Sequence, residues 1–70
     1  MNRPFKLFAV ADDGAIFDED YAKQMQLPFD QGWDHWCIYQ GDHLVGAFPD
    51  FGLAQHTCAA LNATIVLLAA

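Results

Sequence analysis

The stretch "HWCIYQGDHLVGAF", His35 to Phe48, constrains the fold more than any other part of the chain. Two runs rich in apolar and aromatic residues flank Gly41 and Asp42, a pair suited to a two-residue hairpin turn in which glycine supplies the positive φ. Simple pairing about that turn sets Gln40 opposite His43, Ile38 opposite Val45 and Trp36 opposite Ala47 on one face. The other face then carries Tyr39 with Leu44, Cys37 with Gly46 and His35 with Phe48. Neither face is strongly polar, so the hairpin belongs to a sheet with at least one face covered by helices and the other partly exposed or shared.

The flanking segments supply the partners. "PFKLFAVA" reads as a central strand, with Phe5, Leu7 and Ala9 on one side and Phe8 and Val10 on the other. Asp12 to Gly14 is turn chemistry, and Ala15 to Phe17 returns as a short extra strand. Tyr21 and Met25, four apart with Ala22 and Leu27 beside them, predict a helix over Glu19 to Gln26, with Asp18 as N-cap and Pro28 beyond its end. In "FDQGWD", Phe29 and Trp33 tuck onto the core. After Asp50, a second cap, "FGLAQHTCAALN" repeats Leu53, Ala54, Thr57, Cys58 and Leu61 at helical spacing, with Asn62 as the stop. The β-branched "TIVLLA" then reads as a last strand. The expected class is α+β in β-α-β-β-α-β (ferredoxin-like) order, a small antiparallel sheet with two helices on one face and one extra short strand.

A chain of 70 residues makes one domain, 1–70, and buries only about 60% of the surface its unfolded form exposes. Few apolar residues remain for a deep catalytic cleft. The 54% hydrophobic content signals a packed core rather than a disordered segment. In "RPFKLFAVA", Lys6 interrupts an apolar run too short for a leader peptide, and "ATIVLLAA" is too short to span a bilayer. The expectation is a cytoplasmic protein, a monomer or small homo-oligomer, with no membrane segment and with Cys37 and Cys58 as buried thiols.

Catalytic and metal chemistries find little footing. His35 and Cys37 share a strand face, but His56 and Cys58 lie about 200° apart on a helix and do not grip one ion together. An EF-hand register about Gly14 puts Ala9 and Ala11 at ligand positions. Cys37 with His35, His43 and Asp34 or Asp42 supplies the residue types of a nucleophilic site without a signature, and the chain has no serine. "PDFG" has the letters of the kinase magnesium motif and none of its companions. No enzyme activity, metal or cofactor is expected.

Charge carries the remaining information. Nine acids against three bases give a net charge of −6, and no Lys or Arg follows Lys23. Such a surface repels nucleic acid and anionic lipid and is drawn to basic surfaces. Base stacking on the aromatics is disfavoured for the same reason, since RNA-binding sheets need a basic field. Solubility accounts for single carboxylates, and Asp18, Glu19 and Asp20 also suit a helix start. The sharper reading is imitation of DNA, with Asp12, Asp13, Asp18, Glu19, Asp20, Asp30 and Asp34 lining one edge of the sheet and binding a protein partner.

A small acidic α+β domain with loop carboxylates, no catalytic motif and no targeting signal resembles the phage-encoded anti-CRISPR proteins. The likeness is one of overall character, since that group shares no motif, and it transfers no residue. It implies a non-enzymatic inhibitor that binds a CRISPR-Cas surveillance complex on the basic surface that holds target DNA. The alternative is a structural or regulatory phage or bacterial domain that self-associates through the open sheet face or the last strand, its acids only solvating it.

Overall fold

The computed structural model describes residues 4–69, with side chains described as far as residue 64. Its order is β1 Phe5–Val10, β2 Ile16–Asp18, α1 Glu19–Gln24, β3 His35–Gln40, β4 His43–Phe48 and α2 Phe51–Ala69. The strands form one antiparallel sheet in the order β2-β1-β3-β4. The α+β class, the antiparallel sheet and the two helices match the sequence reading. The ferredoxin-like order does not, because the chain runs β-β-α-β-β-α.

The error lies at the C-terminal end, where "TIVLLA" continues α2 instead of forming a strand. Three physical features keep the helix going. No Gly or Pro follows Asn62 to turn the chain back. Thr64 donates its hydroxyl to the Ala60 carbonyl four residues earlier (2.9 Å), the bond a Thr makes inside a continuing helix. Asn62 is engaged elsewhere: its Oδ1 accepts from the Phe5 N–H (3.0 Å) and its Nδ2 donates to the Phe5 carbonyl (3.1 Å). The short return strand β2, moreover, already pairs with the outer edge of β1 over Phe8–Val10.

Alternation along the strands, with the observed registers, defines two faces. Leu7 and Ala9 of β1, Trp36 and Ile38 of β3 and Phe48 of β4 point to the helix side. There they meet Ala22 of α1, Phe29 of the loop, and Phe51 and Ala54 of α2 in the core. Phe51 sits edge-on to both Phe29 and Trp36, at centroid distances of 5.9 and 5.7 Å. Lys6, Phe8 and Val10 of β1, with His35, Cys37 and Tyr39 of β3, point to the other face, opposite the helix side of the core among the described residues.

The hairpin turns at Gly41, with φ +63°, as its sequence requires. Its register holds for Gln40 with His43 and Tyr39 with Leu44, then slips by one at Ile38/Tyr39. Val45 is the extra residue, so Ile38 opposes Gly46, Cys37 opposes Ala47 and Trp36 opposes Phe48. This bulge corrects the simple pairing and sends Phe48, rather than Ala47, to the helix side. A Cβ built on Gly46 would lie 3.3 Å from the Phe48 ring, so the glycine makes room for that ring.

The helix α1 is shorter than its spacing predicts and ends in a Schellman arrangement. Leu27 donates to the Ala22 carbonyl (2.9 Å) and Gln26 to the Lys23 carbonyl (3.0 Å), with Gln26 at φ +59°. Of the expected apolar stripe only Ala22 is buried, while Tyr21, Met25 and Leu27 are exposed. The loop that follows is pinned by two indoles. Trp33 donates to the Pro28 carbonyl and Trp36 to the Phe29 carbonyl, both at 2.8 Å, and the Asp34 N–H joins the Val10 carbonyl. Phe29 is buried and Trp33 packs against the core, as the sequence indicates. In α2, Asp50 caps the helix through the Leu53 N–H (2.8 Å), and Ala54 and Cys58 are buried while Leu53 is exposed.

Candidate functional site

The seven singled-out acids occupy three places. Asp12 and Asp13 lie in the turn after β1, where Asp13 Oδ1 accepts from the Ala15 N–H (3.0 Å) and Gly14 takes φ +92°. That bond folds the Asx turn which returns the chain as β2. Asp18, Glu19 and Asp20 follow at the far end of β2, where strand passes directly into α1. Asp30 and Asp34 belong to the loop leading into the central strand β3, so they flank the sheet without lining its β2 edge.

Asp18 is committed to the fold. Its Oδ1 accepts from the Tyr21 N–H (2.7 Å) as the N-cap of α1, and its Oδ2 lies 3.5 Å from Lys6 Nζ. The Lys6 side chain is well exposed, so the ion pair adds at most about 1 kcal/mol, whereas the cap is worth about 1 kcal/mol by itself. Asp34 Oδ2 is 2.6 Å from His35 Nδ1. Among the described residues, Asp12, Glu19, Asp20 and Asp30 are exposed and have neither an ion pair nor a side-chain hydrogen bond. The β2 edge therefore carries Asp12 at one end and Glu19 and Asp20 at the other, none of them in an ion pair among the described residues, with Lys6 and Lys23 the nearby cations.

Beside Glu19 and Asp20 runs a groove of about 530 Å³. It exists because β2 stops at Asp18 and leaves the first half of β1, Phe5–Leu7, without a neighbouring strand on that side. Its far wall is α2, through Phe51, Gln55 and Asn62. The Asn62 amide takes the place of the missing strand at Phe5, supplying one acceptor and one donor. Sequence reasoning misses this, because an Asn inside an apolar stretch carries the same letter whether it stops a helix or bonds a distant strand.

The sheet face opposite the core is the second feature. Phe8 and Tyr39 meet edge to face at 5.4 Å in its middle, and the Lys6 ammonium lies 5.7 Å from the centroid of the Phe8 ring. Ile16 and Leu44 stand at its two sides, 48% and 52% exposed. Cys37, opposite Phe8 in the register, is buried, and its desolvation raises the thiol pKa above the ordinary value, which favours the neutral thiol. Cys37 and Cys58 are both buried and neither is in a disulfide, as the sequence suggests.

Among the described residues no group of three or more His, Cys, Asp or Glu converges as metal ligands would, and no helix is long and apolar enough to cross a membrane. No protein-family model, curated protein or solved structure matches the chain.

Proposed function

We propose that this chain is a non-enzymatic binding protein that docks its acidic β2 edge on a basic, nucleic-acid-binding surface of a protein partner and there competes with DNA. A CRISPR-Cas surveillance complex, the partner implied by the likeness to anti-CRISPR proteins, has the required chemistry, and the site of action is then the host-cell cytoplasm. The observation that carries the reading is the exposure of Asp12, Glu19 and Asp20, none of them in an ion pair among the described residues, about one edge strand. Duplex DNA presents one charge per about 1.7 Å of its axis, so rows of Arg and Lys that hold it also attract a protein edge of this kind. Asp13 and Asp18 border the same surface while shaping its turn and helix start; Asp30 and Asp34 extend the acidic field toward β3. The reading needs no cofactor and no direct contact with nucleic acid.

The test is binding to a purified CRISPR-Cas surveillance complex, measured by interferometry with and without target DNA. Asp12→Lys, Glu19→Lys and Asp20→Lys together should weaken binding by at least tenfold, and raising salt from 0.1 to 0.5 M, roughly halving the screening length, should do the same to the parent protein. Asp18 is left unchanged because reversing it removes a helix cap. Unchanged affinity in the triple variant, or binding that persists in saturating DNA, overturns the reading.

A further inference from the structure

We infer that the groove between β1 and α2 receives one arginine side chain of the basic partner, its guanidinium held by Glu19 and Asp20. The inference rests on the docking reading for what presents that side chain, and on the groove for where it goes. The groove's volume of about 530 Å³ falls within the roughly 300 to 1,000 Å³ of small-ligand clefts. It therefore takes in a whole side chain, where a flat acidic edge offers only a field.

The fold gives this groove an apolar body and an acidic end. Leu7 borders it from the helix side of β1, while Phe51, Gln55 and Ala59 recur four residues apart along α2, so one stripe of that helix forms the wall. Gln55 and Ala59 are exposed, which leaves the wall open to a visitor. Glu19 and Asp20 reach the groove as the first two residues of α1, because β2 passes into that helix without a loop between them.

Charge selects a cation. Glu19 and Asp20 are exposed, and neither is in an ion pair among the described residues. Lys6 also borders the groove, but its ammonium lies 3.5 Å from Asp18 and 5.7 Å from the centroid of the Phe8 ring, toward the opposite face of the sheet. The start of α1 contributes at most about half a positive charge, which two carboxylates exceed. Form then selects arginine over lysine. A guanidinium presents five donors in one plane, enough to serve both carboxylates and the Gln55 amide, and it is more weakly hydrated than an ammonium. Its methylene stem lies along Leu7 and Phe51 while the charged head stays among the acids. A protein surface that holds DNA through rows of arginine supplies the residue.

Titrating the isotope-labelled protein with N-acetyl-arginine amide, followed by backbone amide chemical shifts, tests the groove without the partner. Saturating shifts are expected at Leu7, Glu19, Asp20, Gln55 and Ala59, with a Kd in the millimolar range, and no such response to the neutral N-acetyl-citrulline amide. Ala59→Trp fills the groove from an exposed position and keeps every carboxylate, so it should weaken the arginine probe at least tenfold, as should Glu19→Gln with Asp20→Asn. Should Ala59→Trp unfold, Gln55→Lys, which puts a cation in the same wall, takes its place with the same expected loss. Unsaturated shifts shared with Asp12, Asp30 and Asp50, an equal response to the citrulline probe, or unchanged affinity in the filled groove overturns the inference. Interferometry on the surveillance complex separates this inference from the docking reading. If the triple Lys variant loses the complex while Ala59→Trp keeps it, the edge docks and the groove takes no arginine. If the arginine probe fills the groove and the parent protein does not bind the complex, the docking reading alone fails.

Discussion

Replacing Asn62 by Ala tests the most unusual contact in the fold. Asn62 lies 57 positions from Phe5 in sequence, yet its carboxamide engages both polar groups of that residue's backbone, at 3.0 and 3.1 Å, at the unpaired half of β1. Each such bond contributes about 0.5 to 1.5 kcal/mol net, so losing both costs about 1 to 3 kcal/mol. The loss falls more heavily on the Phe5 N–H, because Cys58 Sγ also approaches the Phe5 carbonyl, at 3.6 Å, as a weak donor. For a domain of this size a loss of 2 kcal/mol lowers Tm by roughly 8 to 16 °C. Thermal and urea unfolding measure the total, and hydrogen exchange at the Phe5 amide measures the site: it should lose protection in Asn62→Ala. Asn62→Asp sharpens the test. It retains an acceptor for the N–H but faces the Phe5 carbonyl with a second oxygen, so at neutral pH it should be less stable than the Ala variant. Stability of Asn62→Ala within about 0.5 kcal/mol of the parent, with Phe5 exchange unchanged, would refute the assignment of Asn62 as a strand substitute.

Three further outcomes follow from local geometry. Gln26→Gly relieves a non-glycine residue at φ +59° in the Schellman turn and should raise stability by up to about 1 kcal/mol, read as an increase in the urea midpoint. Gly46→Ala places a methyl 3.3 Å from the Phe48 ring, which must then shift by a few tenths of an ångström, and should cost up to about 1 kcal/mol, with the loss reduced when Phe48 is also shortened to Leu. Burial raises the Cys37 pKa in the folded protein, so the native thiol should react slowly with a disulfide reagent at pH 8. The same shift means that the folded state keeps a proton which the unfolded chain releases first. The thiol's contribution is therefore intact below the ordinary thiol range and declines as pH rises through it, so the stability lost between pH 8 and 10 should be smaller in Cys37→Ala.

What the sequence reveals is what local chemistry decides. Gly41 fixes the hairpin turn, Asp18 and Asp50 fix two helix starts, and the run of Phe5 to Val10, apolar on both faces except at Lys6, marks a strand flanked on both sides. Two features depend on distant contacts and escape local reading. The slip at Val45 follows from fitting Phe48 over Gly46 on the helix side, a preference set by the core and not by the turn. The fate of "TIVLLA" is the clearest case: β-branched residues favour strands only when an edge is available, and with α2 already started at Phe51 and no breaker after Asn62, continuing the helix avoids a costly reversal. The acidic cluster was legible as charge, but its division into structural and unpartnered members required Asp13 and Asp18 to be seen bonding backbone amides.

That division yields a last prediction about why five carboxylates stand between Asp12 and Asp20. Asp18→Ala should cost about 1 kcal/mol, since an unfilled cap leaves the Tyr21 N–H without its side-chain acceptor. Glu19→Gln with Asp20→Asn gives up two favourable interactions with the start of α1, worth about 0.3 to 1 kcal/mol each, but relieves repulsion among adjacent like charges of similar size. The pair should therefore change stability by less than about 0.5 kcal/mol, and Asp12→Asn, with no bond to lose among the described residues, by less still. Urea unfolding at low ionic strength, where these charge effects are largest, makes the comparison. If the Glu19 and Asp20 pair proved as costly as Asp18→Ala, those carboxylates would be helix-start chemistry and would lend no support to a docking edge. If they are neutral to folding, the fold does not require their charge, and the amide pair itself reads the effect of charge on partner binding without a stability correction, whereas Lys at these positions also opposes the start of α1.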